Sequence, residues 1–211
     1  MIDDRPLALM ELSNDPLYGK IPRERLAYYT DESLSAGKAA AAACRGRDIR
    51  SLYRENGIEV RRRDKAAGLY GVVLRGQAVM GRTGCRVELY RDSIRELAEH
   101  SGGGKLPALS PEQAEEIHLA HEFYHFLEYK RGRTISEQLE PVVLFRCFSL
   151  RRTAHINRCS EVAAHAFAKA LLGLPCLPNL YDYCYLMDTG RLKESDFKAS
   201  LAKASSLLGA A

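Results

Sequence analysis

His121, Glu122 and His125 stand in the run LAHEFYHFLE, residues 119–128, among Leu119, Ala120, Phe123, Tyr124, Phe126 and Leu127. Polar groups in such apolar surroundings are costly unless something compensates them. Two histidines four residues apart on a helix project from one face about one turn apart, so a single cation can bridge them. Neutral imidazole suits zinc, and a carboxylate beside the first histidine can act as general base toward an activated water. The HExxH spacing therefore points to metal-dependent hydrolysis, with His121 and His125 as ligands, Glu122 as base and one Zn2+ per chain.

Catalytic zinc takes three protein ligands and keeps one position open. Glu161, in SEVAAHAFA, is the first choice for the third, because Ala163, Ala164, Ala166, Ala168 and Ala170 would let its helix approach the HExxH helix closely. The macrodipole alone would also favour a glutamate in a first helical turn. His155, in the polar stretch RRTAHINR, competes as ligand or as an oxyanion donor, and Glu140 and His165 remain further alternatives. His165, one turn beyond Glu161, is expected to support a ligand or the transition state. His118 is read as solvent-facing or supporting, His100 as a surface residue, and Tyr181, Tyr183 and Tyr185 as core and rim aromatics.

The elements that must position these groups can be read in outline. Ser110, Pro111 and Gln113 form a helix start with a capping box, and Gly132 follows Lys130 and Arg131 as a stop, which predicts a helix from about 111 to 130. A second helix is expected over 159–173, ended by Gly173 and Pro175. Residues 31–56 read as helix, broken or bent at Gly46 and closed at Gly57. IEVRRR at 58–63, LYGVVLR at 69–75 and CRVELYR at 85–91 read as three antiparallel strands. SGGGKLPALSP at 101–111 reads as a flexible loop, and a helical stretch is expected from Ser136, interrupted at 150–158. Residues 1–30, with Pro6, Pro16 and Pro22, read as an irregular lead-in. Residues 31–190 follow as one α+β domain, and 191–211 as a C-terminal amphipathic helix.

Composition excludes several classes. The 211 residues are 46% hydrophobic and 27% charged, ordinary for a globular chain and unlike disorder. No apolar run approaches a membrane span, and the acidic start MIDDRPLALMELSND lacks the basic opening of a signal peptide. A cytoplasmic protein with no membrane contact is expected. Cys44, Cys85, Cys147, Cys159, Cys176 and Cys184 include no pair at zinc-knuckle or redox spacing, so buried inert thiols are expected. Net charge is only +4, but Arg45, Arg47, Arg50, Arg54 and the run RRRDK at 61–65 concentrate basic residues in the first third. Without a nucleic-acid module in the sequence, this reads as a solvated face and direct nucleic-acid binding is not expected.

EIHLAHEFYHFLE followed by SEVAAHAFAKALLGLP resembles the ImmA/IrrE-type metallopeptidases, in which an F-x-x-A-H-E-x-x-H helix precedes one of the form E-x-E-A-N-x-F-A-x-x-L-L-x-P. The likeness covers roughly residues 35–178 and is specific at the two helices. It implies a zincin-like fold, zinc on His121 and His125, Glu122 as general base and Glu161 as a matching glutamate. It also implies a cytoplasmic endopeptidase acting on a protein substrate such as a helix-turn-helix transcriptional repressor. The chain departs from the pattern at Tyr124, where a glycine often packs, at Ala163, and at His165 in place of asparagine; the stretch 129–158 is also long for the family. The readings to be weighed are therefore a zinc metallo-endopeptidase and a non-catalytic metal-binding regulator acting through its basic first third. A metal hydrolase of another substrate class is a third.

Overall fold

The computed structural model describes residues 2–64, 74–81, 84–103, 106–148 and 150–209. Its α+β architecture places small sheets among packed helices. The chain opens with α1 (Asp4–Leu12), where an irregular lead-in was expected. Asp3 accepts the Arg5 N–H as N-cap and Pro6 lies within the first turn, where its missing N–H costs nothing. Leu7, Leu9 and Leu12 are fully buried. Next come α2 (Leu26–Ala42) and α3 (Ile49–Glu55), separated by a turn in which Gly46 takes φ +78°.

Strands β1 (Glu59–Arg63), β2 (Gly76–Gly81) and β3 (Gly84–Tyr90) form a sheet of order β1-β3-β2. The middle strand expected at 69–75 lies outside the described residues up to 73, and Leu74 and Arg75 precede β2 rather than belong to it. β2 pairs antiparallel with β3, but β1 pairs parallel to it, so the sheet is mixed rather than antiparallel. Val87 and Leu89 of β3 are fully buried beneath the helices. After β3 the chain turns directly into α4 (Arg91–His100).

The central helix α5 (Pro111–Arg131) begins with the Ser110–Gln113 capping box and ends where Gly132 adopts φ +68°. The expected helix from Ser136 shrinks to α6 (Ile135–Gln138), and the following residues form an antiparallel hairpin, β4 (Val142–Cys147) and β5 (Leu150–Ala154). β-branched and aromatic content, not helical periodicity, decides this stretch. Then come α7 (Arg158–Leu172), α8 (Asn179–Asp188) and α9 (Glu194–Gly209).

The alanines of α7 serve two neighbours at once. On one side α7 meets α5, where Phe167 packs against Phe123 and Tyr124 with ring centroids 6.1 and 5.8 Å away. On the other it meets α2 so closely that a Cβ on Gly37 would overlap the Ala163 carbonyl oxygen and stand 2.8 Å from Ala166 Cβ. Tyr124 is thus a core ring, 1% exposed, filling the α5–α7 seam. None of the described helices is long and apolar enough to cross a membrane.

Candidate metal centre

α5 and α7 carry the converging groups. His121 and His125, one turn apart on α5, bring their Nε2 atoms within 3.2 Å of each other. Glu161, in the first turn of α7, reaches across with Oε2 3.2 Å from His121 Nε2 and Oε1 3.6 Å from His125 Nε2. Two zinc–ligand bonds of about 2.0–2.1 Å at a tetrahedral angle hold their ligand atoms about 3.3 Å apart. The observed spacings match that requirement, and the three residues could hold a metal ion.

His125 and Glu161 are each steered from behind. His125 Nδ1 lies 3.3 Å from Glu128 Oε2, which leaves Nε2 facing the cluster. Glu128 is 3% exposed. Its Oε1 accepts the Ile135 N–H at 2.7 Å and the Ser160 hydroxyl at 3.0 Å, tying α5 to the starts of α6 and α7. α7 is seated by α1 and the turn after it: the Arg158 guanidinium donates to Glu11 of α1 at 2.9 Å, and the Arg158 N–H donates to Asp15 of the turn at 3.0 Å. The unexpected N-terminal helix therefore helps set where Glu161 stands.

Glu122 flanks the ligands and points to the sheet. Its Oε2 accepts the Ala78 N–H of edge strand β2 at 2.8 Å. His165 stacks edge-on to His121 at 4.8 Å between ring centroids, and its Nδ1 has no partner among the described residues. Burial holds the His165 imidazole far below its ordinary pKa, with the charge of His121 acting in the same direction.

The electrostatics bind His121 to Glu161. Burial opposes charge on His121, but the hydrogen bond and charge of Glu161, aided by Glu122 and Glu11, outweigh it and raise its pKa to about 9. Burial would likewise raise Glu161, yet the His121 hydrogen bond and the charges of His121, His125 and His165 hold it well below the usual carboxylate range.

These groups open onto a cleft of about 760 Å³ whose walls include Glu11, Arg75, His118, Arg158, Asp182 and Tyr183. His118 Nδ1–H donates to the Ala114 carbonyl at 2.7 Å, and burial pushes its pKa down to about 4. Burial raises the Tyr183 phenol to about 12, with the charges of Glu11 and Asp182 adding to the shift. Tyr181 and Tyr185 are core residues, and His100 pairs with Asp188 at 2.6 Å.

Of the residues singled out in the sequence, His121, Glu122, His125, Glu161 and His165 share one wall of this cleft. His155 does not line it, and Glu140 instead pairs with Arg25 at 2.9 Å. Sequence reading missed Glu128, although a carboxylate one turn past His125 in an apolar run is the signal that could have found it. It also missed Glu11, whose helix it did not foresee, and Asp15 in the turn that follows. No protein-family model, curated protein or solved structure matches the chain.

Proposed function

We propose that this chain is a zinc-dependent metallo-endopeptidase. The observation that carries the reading is the convergence of His121, His125 and Glu161 at ligand spacing, with Glu122 beside them and free of the ligand set. A structural site needs ligands alone; a carboxylate parked next to the site, hydrogen-bonded to a strand edge, is the arrangement a general base requires. Zinc bound there supplies Lewis acidity to the scissile carbonyl and makes a water acidic enough to attack.

The residues do the rest. Glu122 takes the proton of the attacking water and delivers it to the departing amine. His165, kept neutral, offers a hydrogen bond to the oxygen on which charge develops. An open cleft with both acidic and basic walls suits an extended peptide, and the resemblance noted above makes a helix-turn-helix repressor the first substrate class to try.

The competing regulator would act through its basic first third. Those arginines are largely neutralised: Arg47 pairs with Glu55, Arg61 with Glu59, Arg62 with Glu115 and Arg63 with Glu88. Arg45 and Arg54 have no carboxylate within ion-pair distance among the described residues, so only part of the cluster's charge is left to recruit a partner.

The test is cleavage of a peptide mixture by zinc-loaded protein, read by mass spectrometry, beside Glu122→Gln. The variant should keep its zinc and lose at least about 100-fold in rate. A wild type that cleaves nothing, or a variant as active as wild type, overturns the reading.

A further inference from the structure

Among the described residues the exposed large hydrophobic side chains are Tyr129, Val143, Phe145, Phe148 and Leu150, and all but the first lie on the β4–β5 hairpin. Phe148, beyond the last ladder pair, is 100% exposed, Leu150 63% and Phe145 52%. Scattered apolar residues need no explanation, but a cluster at one projecting end does.

The register arranges this cluster by depth. Cys147 pairs with Leu150 next to the tip, Arg146 with Arg151 one step back, and Phe145 with Arg152 behind that. At roughly 3.3 Å per residue, an apolar tip is followed at once by three arginines. Arg146 and Arg151 stand directly opposite each other, a repulsive cross-strand pair. No carboxylate among the described residues lies within ion-pair distance of any of the three, unlike the paired arginines of β1. The turn Tyr18–Lys20, packed against β4, adds exposed Lys20.

We propose that this hairpin docks tip-first onto an anionic membrane surface. Phe148 and Leu150 enter the boundary between headgroups and acyl chains, a depth of about 5–10 Å, while Arg146, Arg151 and Arg152 meet lipid phosphates and relieve their mutual repulsion. Charge complementarity favours lipid phosphate over a neutral apolar partner. A sequence search for spanning segments passes over such a site, because the inserted part is only a few residues long.

The test uses the full chain, without reference to peptidase activity. Wild type is sedimented with vesicles of phosphatidylcholine alone or mixed with phosphatidylglycerol, beside the double variants Phe148→Ser/Leu150→Ser and Arg146→Ser/Arg151→Ser. These positions are exposed, so both variants should keep the wild-type circular dichroism. Wild type should pellet with the anionic vesicles and not the neutral ones, and added salt should release it. Each variant should bind on the order of tenfold more weakly. Undiminished binding by both variants overturns the proposal. So does a wild type that ignores anionic vesicles, which leaves a protein partner as the occupant of the hairpin.

Discussion

His125 Nδ1 sits 3.3 Å from Glu128 Oε2, and that contact turns its Nε2 toward His121 and Glu161. A buried carboxylate behind a ligating imidazole fixes both its tautomer and its orientation. Glu128→Gln keeps the shape and removes the charge. It should weaken zinc affinity by about 10–100-fold, measured by competition with a chromogenic chelator, while the fold survives.

The His121–Glu161 pair makes zinc binding a proton exchange. His121 titrates near pH 9 in the metal-free protein, so at pH 7 it carries a proton that must leave before zinc can bind. Apparent affinity should rise about tenfold per pH unit from pH 7 to about 9 and flatten above it. Calorimetry in buffers of different ionisation enthalpy should find about one proton released per zinc at pH 7; none released would remove the pairing from the account. The sign for stability is the reverse. Because His121 is raised and Glu161 lowered on folding, the pair stabilises the metal-free protein fully between about pH 4.5 and 6.5. It loses the His121 contribution as pH rises through about 9, and the Glu161 contribution as pH falls well below about 4.5.

Gly37 controls the approach of α2 to α7, and through α7 the placement of Glu161. Gly37→Ala drives a methyl into the Ala163 carbonyl and the Ala166 side chain. Backbone cannot yield as a side-chain end can, so a loss of about 2–3 kcal/mol is expected. For a chain of this length that corresponds to roughly 4–12 °C in Tm by scanning calorimetry. Zinc content should fall with it if α7 is displaced.

Much of the site was legible because helices announce themselves locally. Ser110, Pro111, Gln113 and Gly132 bound α5, Gly173 bounds α7, and the histidine spacing is itself helical geometry. What failed was non-local. The parallel pairing of β1 with β3 depends on β2 folding back to the far edge, which no local pattern encodes. α1 was hidden by weighing Pro6 as a breaker, although with Asp3 as cap a proline in the first turn is tolerated. The β4–β5 hairpin turns beside Phe148 at φ 50°, without the glycine or asparagine that usually marks such a turn. Ala163 and its neighbours do let α7 pack on α5, but nothing local announces that the same small residues also admit α2 at Gly37.

The most direct measurement of the central claim is zinc per chain by elemental analysis, after saturation and desalting, on wild type beside Glu161→Ala. About one zinc is expected in wild type and a clear loss in the variant, with both proteins folded. Folded wild type that retains no zinc would contradict it, and equal retention in both would remove Glu161 from the ligand set.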